Sequence, residues 1–90
     1  MDLLKANKSL EKSLKKIPLR IRKEYEIWKR IVEFQGLDGL KSIKGYHDEA
    51  LKGKLDDLRS SRLNLKWRVI YKAAKDQFEV YVIDINPHQY

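Results

Sequence analysis

The chain has no cysteine. That excludes a disulfide framework and any thiolate metal site. It has only two histidines, His47 and His88, far apart among scattered acids. They form no metal-ligating set, and no cofactor is expected. No apolar run approaches the roughly 20 residues a membrane-spanning helix needs. The opening stretch, MDLLKANKSLEKSL, is too charged for a secretory signal. A cytoplasmic protein without a membrane role is therefore expected. Glycine and proline are scarce, at four and two. All four glycines (Gly36, Gly39, Gly45 and Gly53) fall in one stretch, in a spacing that matches no phosphate loop. Repeats, linkers and low-complexity tracts are missing, so residues 1–90 read as one domain.

What remains is a basic, moderately apolar chain. Hydrophobic residues make up 42%, with two Trp, five Tyr and two Phe, enough for one thin core in 90 residues. The net charge is +7. Residues 1–35 carry 10 basic and 5 acidic side chains, residues 36–75 the same numbers, and residues 76–90 only 3 acids. The positive charge thus sits on the first two thirds, which suits nucleic acid or an acidic protein as partner.

Hydrophobic periodicity divides the chain. Residues 2–6 read as a short strand or the start of a helix. Asn7 is a fair N-cap. Leu10, Leu14 and Ile17 then recur at helical spacing. Pro18 breaks that helix and opens a second, in which Ile21, Tyr25, Trp28 and Val32 form an apolar stripe widened by Ile27, Ile31 and Phe34. Gly36 ends it. Residues 36–57 form a long bent connection containing KGYHDEALKGK. The period then changes to two, and LRSSRLN, KWRVIYKAA and FEVYVIDI read as three strands. The last is apolar at nearly every position and is expected to lie centrally or to be covered on both faces. The expected fold is α+β: an N-terminal helical hairpin packed on a small twisted antiparallel sheet.

An even-numbered loop, Asn64-Leu65 or one pair wider, would join the first two strands. It would place Leu58, Ser60 and Arg62 with Trp67, Val69 and Tyr71 on the helix-covered side. The open face would then carry Arg59, Ser61, Lys66, Arg68 and Lys72, a basic surface whose guanidinium forks suit phosphate. Arg62 could instead make a structural ion pair with Asp84 or Glu49.

The order of elements, with HDEALKG, RSSRLN, WRVIYK and a terminal His-x-Tyr, resembles the RelE/ParE toxin superfamily, most of all its YoeB- and HigB-like ribonucleases. The resemblance implies the toxin of a bacterial toxin–antitoxin pair. Such a toxin cuts messenger RNA in the ribosomal A site without metal, by 2′-hydroxyl attack that leaves a 2′,3′-cyclic phosphate. It also implies an acidic, partly disordered antitoxin, with operator DNA bound only through the toxin–antitoxin complex. Residue by residue, Glu49 takes the place of the family's general base, with His47 as its neighbouring alternative. Arg68 corresponds to the family arginine of the R-x-I-Y strand. His88 and Tyr90 correspond to the C-terminal His-Tyr pair, here split by Gln89. RNA binding then falls to Arg59, Arg62, Lys52, Lys54 and His47. A glutamate is ionised at neutral pH and a histidine can still donate a proton, so the residue types suit this chemistry. Two other readings stay open: a ParE-like toxin that acts on DNA gyrase without catalysis, and a basic RNA-binding module.

Overall fold

The computed structural model describes residues 4–6, 8–51, 58–73 and 79–87. Strand β1 (Leu4–Ala6) is followed by helix α1 (Lys8–Leu14) and the long helix α2 (Leu19–Ser42). A 3-10 turn at Lys44–Tyr46 leads to strand β2 (Glu49–Ala50). Strands β3 (Arg59–Arg62), β4 (Arg68–Ala73) and β5 (Val80–Asn86) complete the sheet, whose order is β1-β5-β4-β3-β2. The fold is α+β, as expected, and β5 lies inside the sheet between β1 and β4. Two short strands join the three: β1, which settles residues 4–6 as strand rather than helix, and β2, which was not expected. Of these, β1 pairs parallel to β5, so the sheet is not wholly antiparallel. The N-cap position Asn7 lies outside the described residues.

Helix α2 supplies one side of the core. Ile21, Tyr25, Trp28 and Val32 are buried, and the Trp28 ring meets Tyr71 of β4 edge-on at 5.4 Å. The stripe is narrower than expected. Ile27 is exposed and Phe34 is 83% exposed, because both lie about a quarter-turn or more away from the buried row. Gly36 ends the helical stretch that carries this stripe, as expected. With φ 69° and ψ −165° it interrupts α2, and the helix resumes to bury Leu37 and Leu40.

The hairpin between β3 and β4 departs from the expected register. Leu63 N–H donates to Trp67 O at 2.8 Å, so three residues, Asn64 to Lys66, form the loop. The Asn64 side chain accepts from Lys66 N and Trp67 N at 2.8 and 2.7 Å. This local cap stabilises the odd-numbered turn. The register becomes Arg59↔Tyr71, Ser60↔Ile70, Ser61↔Val69 and Arg62↔Arg68. The expected faces of β3 are thereby exchanged. Arg59 and Ser61 face the helices with Val69 and Tyr71, while Ser60 and Arg62 face outward with Arg68 and Ile70.

A bulge corrects β5. Simple alternation from Val80 and Val82 would turn Asp84 into the core. Instead the register shifts between Ile70↔Asp84 and Tyr71↔Val82, leaving Ile83 as the extra residue. Val80, Val82 and Ile85 then all join the core.

Gly36 generates a test. Its φ,ψ pair belongs to a region that other residues enter at about 1–3 kcal/mol. Gly36→Ala is expected to lower unfolding stability by that amount, read from the midpoint of urea denaturation.

Candidate nucleic-acid interface

The outward sheet face is organised by register. Arg62 of β3 stands directly opposite Arg68 of β4, and Arg68 opposite Asn86 of β5. The next row on the same face is Glu49, Ser60, Ile70 and Asp84. Ser60 and Ile70 are buried, whereas Arg62 and Arg68 are half-buried. The Nε atoms of both arginines are buried and have no hydrogen-bond partner among the described residues. Like charges directly opposed on a sheet repel, and a buried donor without an acceptor costs free energy. One anion placed between the two guanidiniums would relieve both.

Asp84 does not neutralise them. Its Oδ1 accepts from Ile85 N at 2.9 Å and its Oδ2 from Asn86 Nδ2 at 2.6 Å. Among the described residues Arg62 forms no ion pair with Asp84 or Glu49.

Glu49 sits on edge strand β2, half exposed, on the face of the arginines. Strand spacing puts its Cα roughly 12 Å from that of Arg68, two strands over and one row along. His47 Nε2 lies 3.6 Å from Glu49 Oε2. His47 has φ 45° and ψ 47°, the left-handed conformation that side-chain-bearing residues seldom adopt. That twist ends strand pairing and sets the imidazole beside the glutamate. Glu49, His47, Arg62 and Arg68 thus occupy one corner of one face.

Arg59 is elsewhere. On the helix-covered side its Nε and Nη2 donate to Asp48 Oδ1 at 3.0 and 2.6 Å. Asp48 Oδ2 accepts from Ser61 Oγ at 2.6 Å and from the Tyr71 hydroxyl. The Asp48 side chain is 0% exposed. Burial alone would lower the Arg59 pKa, but Asp48 and Tyr71 hold it above its ordinary value. Burial, and then the Asp48 carboxylate, push the Tyr71 phenol well above its usual range. Tyr71 therefore remains protonated and donates. Asp48 was not singled out in the sequence. The available signal was its position: in H-D-E, alternation that turns Glu49 outward turns Asp48 inward, opposite Ser61.

Four expected site residues, His88, Tyr90, Lys52 and Lys54, lie outside the described residues. The strand leading to the first two ends at Asn86, opposite Arg68.

No protein-family model and no curated protein matches the sequence. Solved structures do. RelE in an archaeal RelE–RelB complex from Pyrococcus horikoshii is 24% identical over 93% of this chain and 91% of its own, with a TM-score of 0.71. YafQ from E. coli is 14% identical over 94% and 91%, with a TM-score of 0.77. A YoeB/ParE toxin from Agrobacterium tumefaciens is 19% identical over 98% and 100%, with a TM-score of 0.74. The chain has the fold of these three structures. Within it, the arginine pair and the Glu49–His47 edge occupy the outward face of the sheet, and the helices close the other.

The buried network makes two predictions. Arg59→Ala leaves the Asp48 carboxylate buried without its cation and should cost about 3 kcal/mol, measured by chemical denaturation. Tyr71 has a raised pKa in the folded protein, so the unfolded chain loses its proton first as pH rises. Its contribution is complete below the unfolded value of about 10 and is lost as pH climbs toward the folded value. Stability should therefore fall above about pH 10, and less steeply in Tyr71→Phe, in urea titrations at stepped pH.

Proposed function

We propose that the chain is the toxin of a bacterial toxin–antitoxin pair and an endoribonuclease acting on messenger RNA in the ribosomal A site. One observation carries this reading: Arg62 and Arg68 oppose each other with both Nε atoms buried and unpartnered among the described residues, on the face that also presents Glu49. Two guanidiniums set opposite each other suit a single phosphate, and a carboxylate stands on the same face.

The reaction needs no added reagent. Glu49, or His47 beside it, takes the proton of the RNA 2′-hydroxyl. The 2′-oxygen forms a bond to the adjacent phosphorus, and the bond from phosphorus to the 5′-oxygen breaks. A proton donated to that oxygen yields a 5′-hydroxyl, and the other product is a 2′,3′-cyclic phosphate. Arg68 and Arg62 stabilise the charge gathering on the phosphorane oxygens. His88 is the proton donor in this scheme. Tyr90 stacks on a base or orients the phosphate. Lys52 and Lys54 hold the RNA backbone. Arg59 supports this surface from behind rather than touching RNA.

Relatives of this fold are described as complexes: RelE with RelB, YafQ with DinJ, and YoeB with YefM in Staphylococcus aureus. An acidic antitoxin suits the +7 chain for the same electrostatic reason that RNA does. The outward side of α2 also offers Leu19, Ile27 and Phe34 among Lys23 and Arg30, all exposed. Operator DNA would be met only through that complex. The site of action is the bacterial cytoplasm.

Primer extension on a defined message, with and without translating ribosomes, tests the proposal. Wild type should cut within codons, and Arg68→Ala should cut on the order of 10²- to 10³-fold more slowly. A growth-inhibiting wild type that cuts nothing in either setting would favour action on DNA gyrase instead.

A further inference from the structure

We propose that Asp48 is a positioning residue, whose buried carboxylate ties edge strand β2 to β3 and β4 and so fixes Glu49 on the face of the arginine pair. This rests on the nuclease reading for its link to catalysis. The tether itself does not.

The geometry is a consequence of alternation. Strand β2 has only two residues, Glu49 and Ala50, paired with Ser60 and Arg59. One further backbone bond, Leu51 N–H to Leu58 O at 2.9 Å, extends the pairing. Such a short edge holds its register weakly by backbone bonds alone, and a slip of one residue would turn Glu49 to the other face. Continued back by one residue, the register sets Asp48 opposite Ser61, and Ser61 Oγ donates to Asp48 Oδ2 at 2.6 Å. Arg59, one residue pair along on the same face, adds two bonds to Oδ1, and Tyr71 of β4 adds a fourth to Oδ2. Both carboxylate oxygens are therefore anchored, to two strands, by side chains that are themselves packed. Only the present register satisfies all of them. Asp48 inward requires Glu49 outward. The left-handed His47 follows from the same anchor, since the chain must turn sharply to leave the 3-10 turn at Tyr46 and deliver Asp48 to the interior.

Asp48→Asn keeps the size and one accepting oxygen, and the Ser61 and Tyr71 hydroxyls can rotate to accept from its amide. It removes the charge that holds Arg59. Two readouts follow. In hydrogen exchange, the Leu51 amide should exchange on the order of tenfold faster in Asp48→Asn relative to amides of β4 and β5. In RNA cleavage, kcat should fall on the order of tenfold to a hundredfold with KM within about twofold, because the base is misplaced while the arginines still bind phosphate. The double variant Asp48→Asn/Glu49→Gln should be no slower than Glu49→Gln alone, since Asp48 acts through Glu49. Wild-type protection at Leu51, or losses that multiply in the double variant, would overturn the proposal. If Asp48→Asn fails to give a cooperative unfolding transition, Ser61→Ala removes a single donor and should show the same pattern at smaller size; an unchanged Leu51 amide there would overturn it equally. A wild type that cleaves no RNA would sink the nuclease reading, and the Leu51 exchange would still decide whether Asp48 holds the edge.

Discussion

The turn at Asn64–Lys66 decides which way every side chain of β3 points, and most of the chemistry follows from it. A strand alternates strictly, so one residue more or less in the loop exchanges its two faces. With three residues, the four polar positions of R-S-S-R divide cleanly. Arg59 and Ser61 go inward to Asp48 and Tyr71, and Arg62 goes outward to stand against Arg68. With two, Arg62 would turn to the helix-covered side and Arg59 to the open one, away from the buried Asp48 carboxylate that now holds it. The Asn64 carboxamide, by accepting from two backbone amides of the turn, stabilises the loop that yields the workable division.

Sequence patterning reached the architecture because the architecture depends on averages. The buried stripe of α2 and the apolar run of β5 are each spread over many residues, and a local error hardly moves them. The two helices, the α+β class and the inner position of β5 were all legible in that way. Details that depend on a single residue were not. The loop length of the hairpin is one integer, and both values leave a plausible alternating pattern. The bulge at Ile83 is hidden because V-Y-V-I-D-I is apolar at five of six positions and so carries no phase. Gly36 was legible as the end of the first helical stretch; the second stretch was not, since what stabilises it is the burial of Leu37 and Leu40 in a core the sequence does not display.

The candidate site was legible in composition and order rather than in geometry. Arg62, Arg68, Glu49 and His47 lie on one corner of one face, and three of those four are on different elements. Arg59 was grouped with them on residue type and the assumed register, and type cannot separate a guanidinium held by a buried carboxylate from one that faces solvent. The distinguishing residue was Asp48, whose importance emerges only when β2 is paired with β3. Two residues of strand are too few for a periodicity signal, so the element that positions Glu49 could not be found by pattern.

The same residue type thus meets two opposite fates at the two ends of the four-residue strand β3, and the contrast explains how the fold tolerates its own charge. Arg59 is compensated internally: four donors converge on one carboxylate, and the cluster stiffens the junction of β2, β3 and β4. Arg62 and Arg68 are left uncompensated by their described neighbours, although Asp84 stands one row away, because Asp84 is occupied by Ile85 N–H and Asn86 Nδ2. Had that acid been free to turn, it would have neutralised the pair and weakened any phosphate site there. Engaging Asp84 with backbone and amide donors keeps the guanidiniums available, and burying Asp48 behind the sheet keeps a second acid from reaching them. A surface prepared for an anion requires that nearby carboxylates be committed elsewhere, and in this fold both commitments are made by hydrogen bonds from the three central strands.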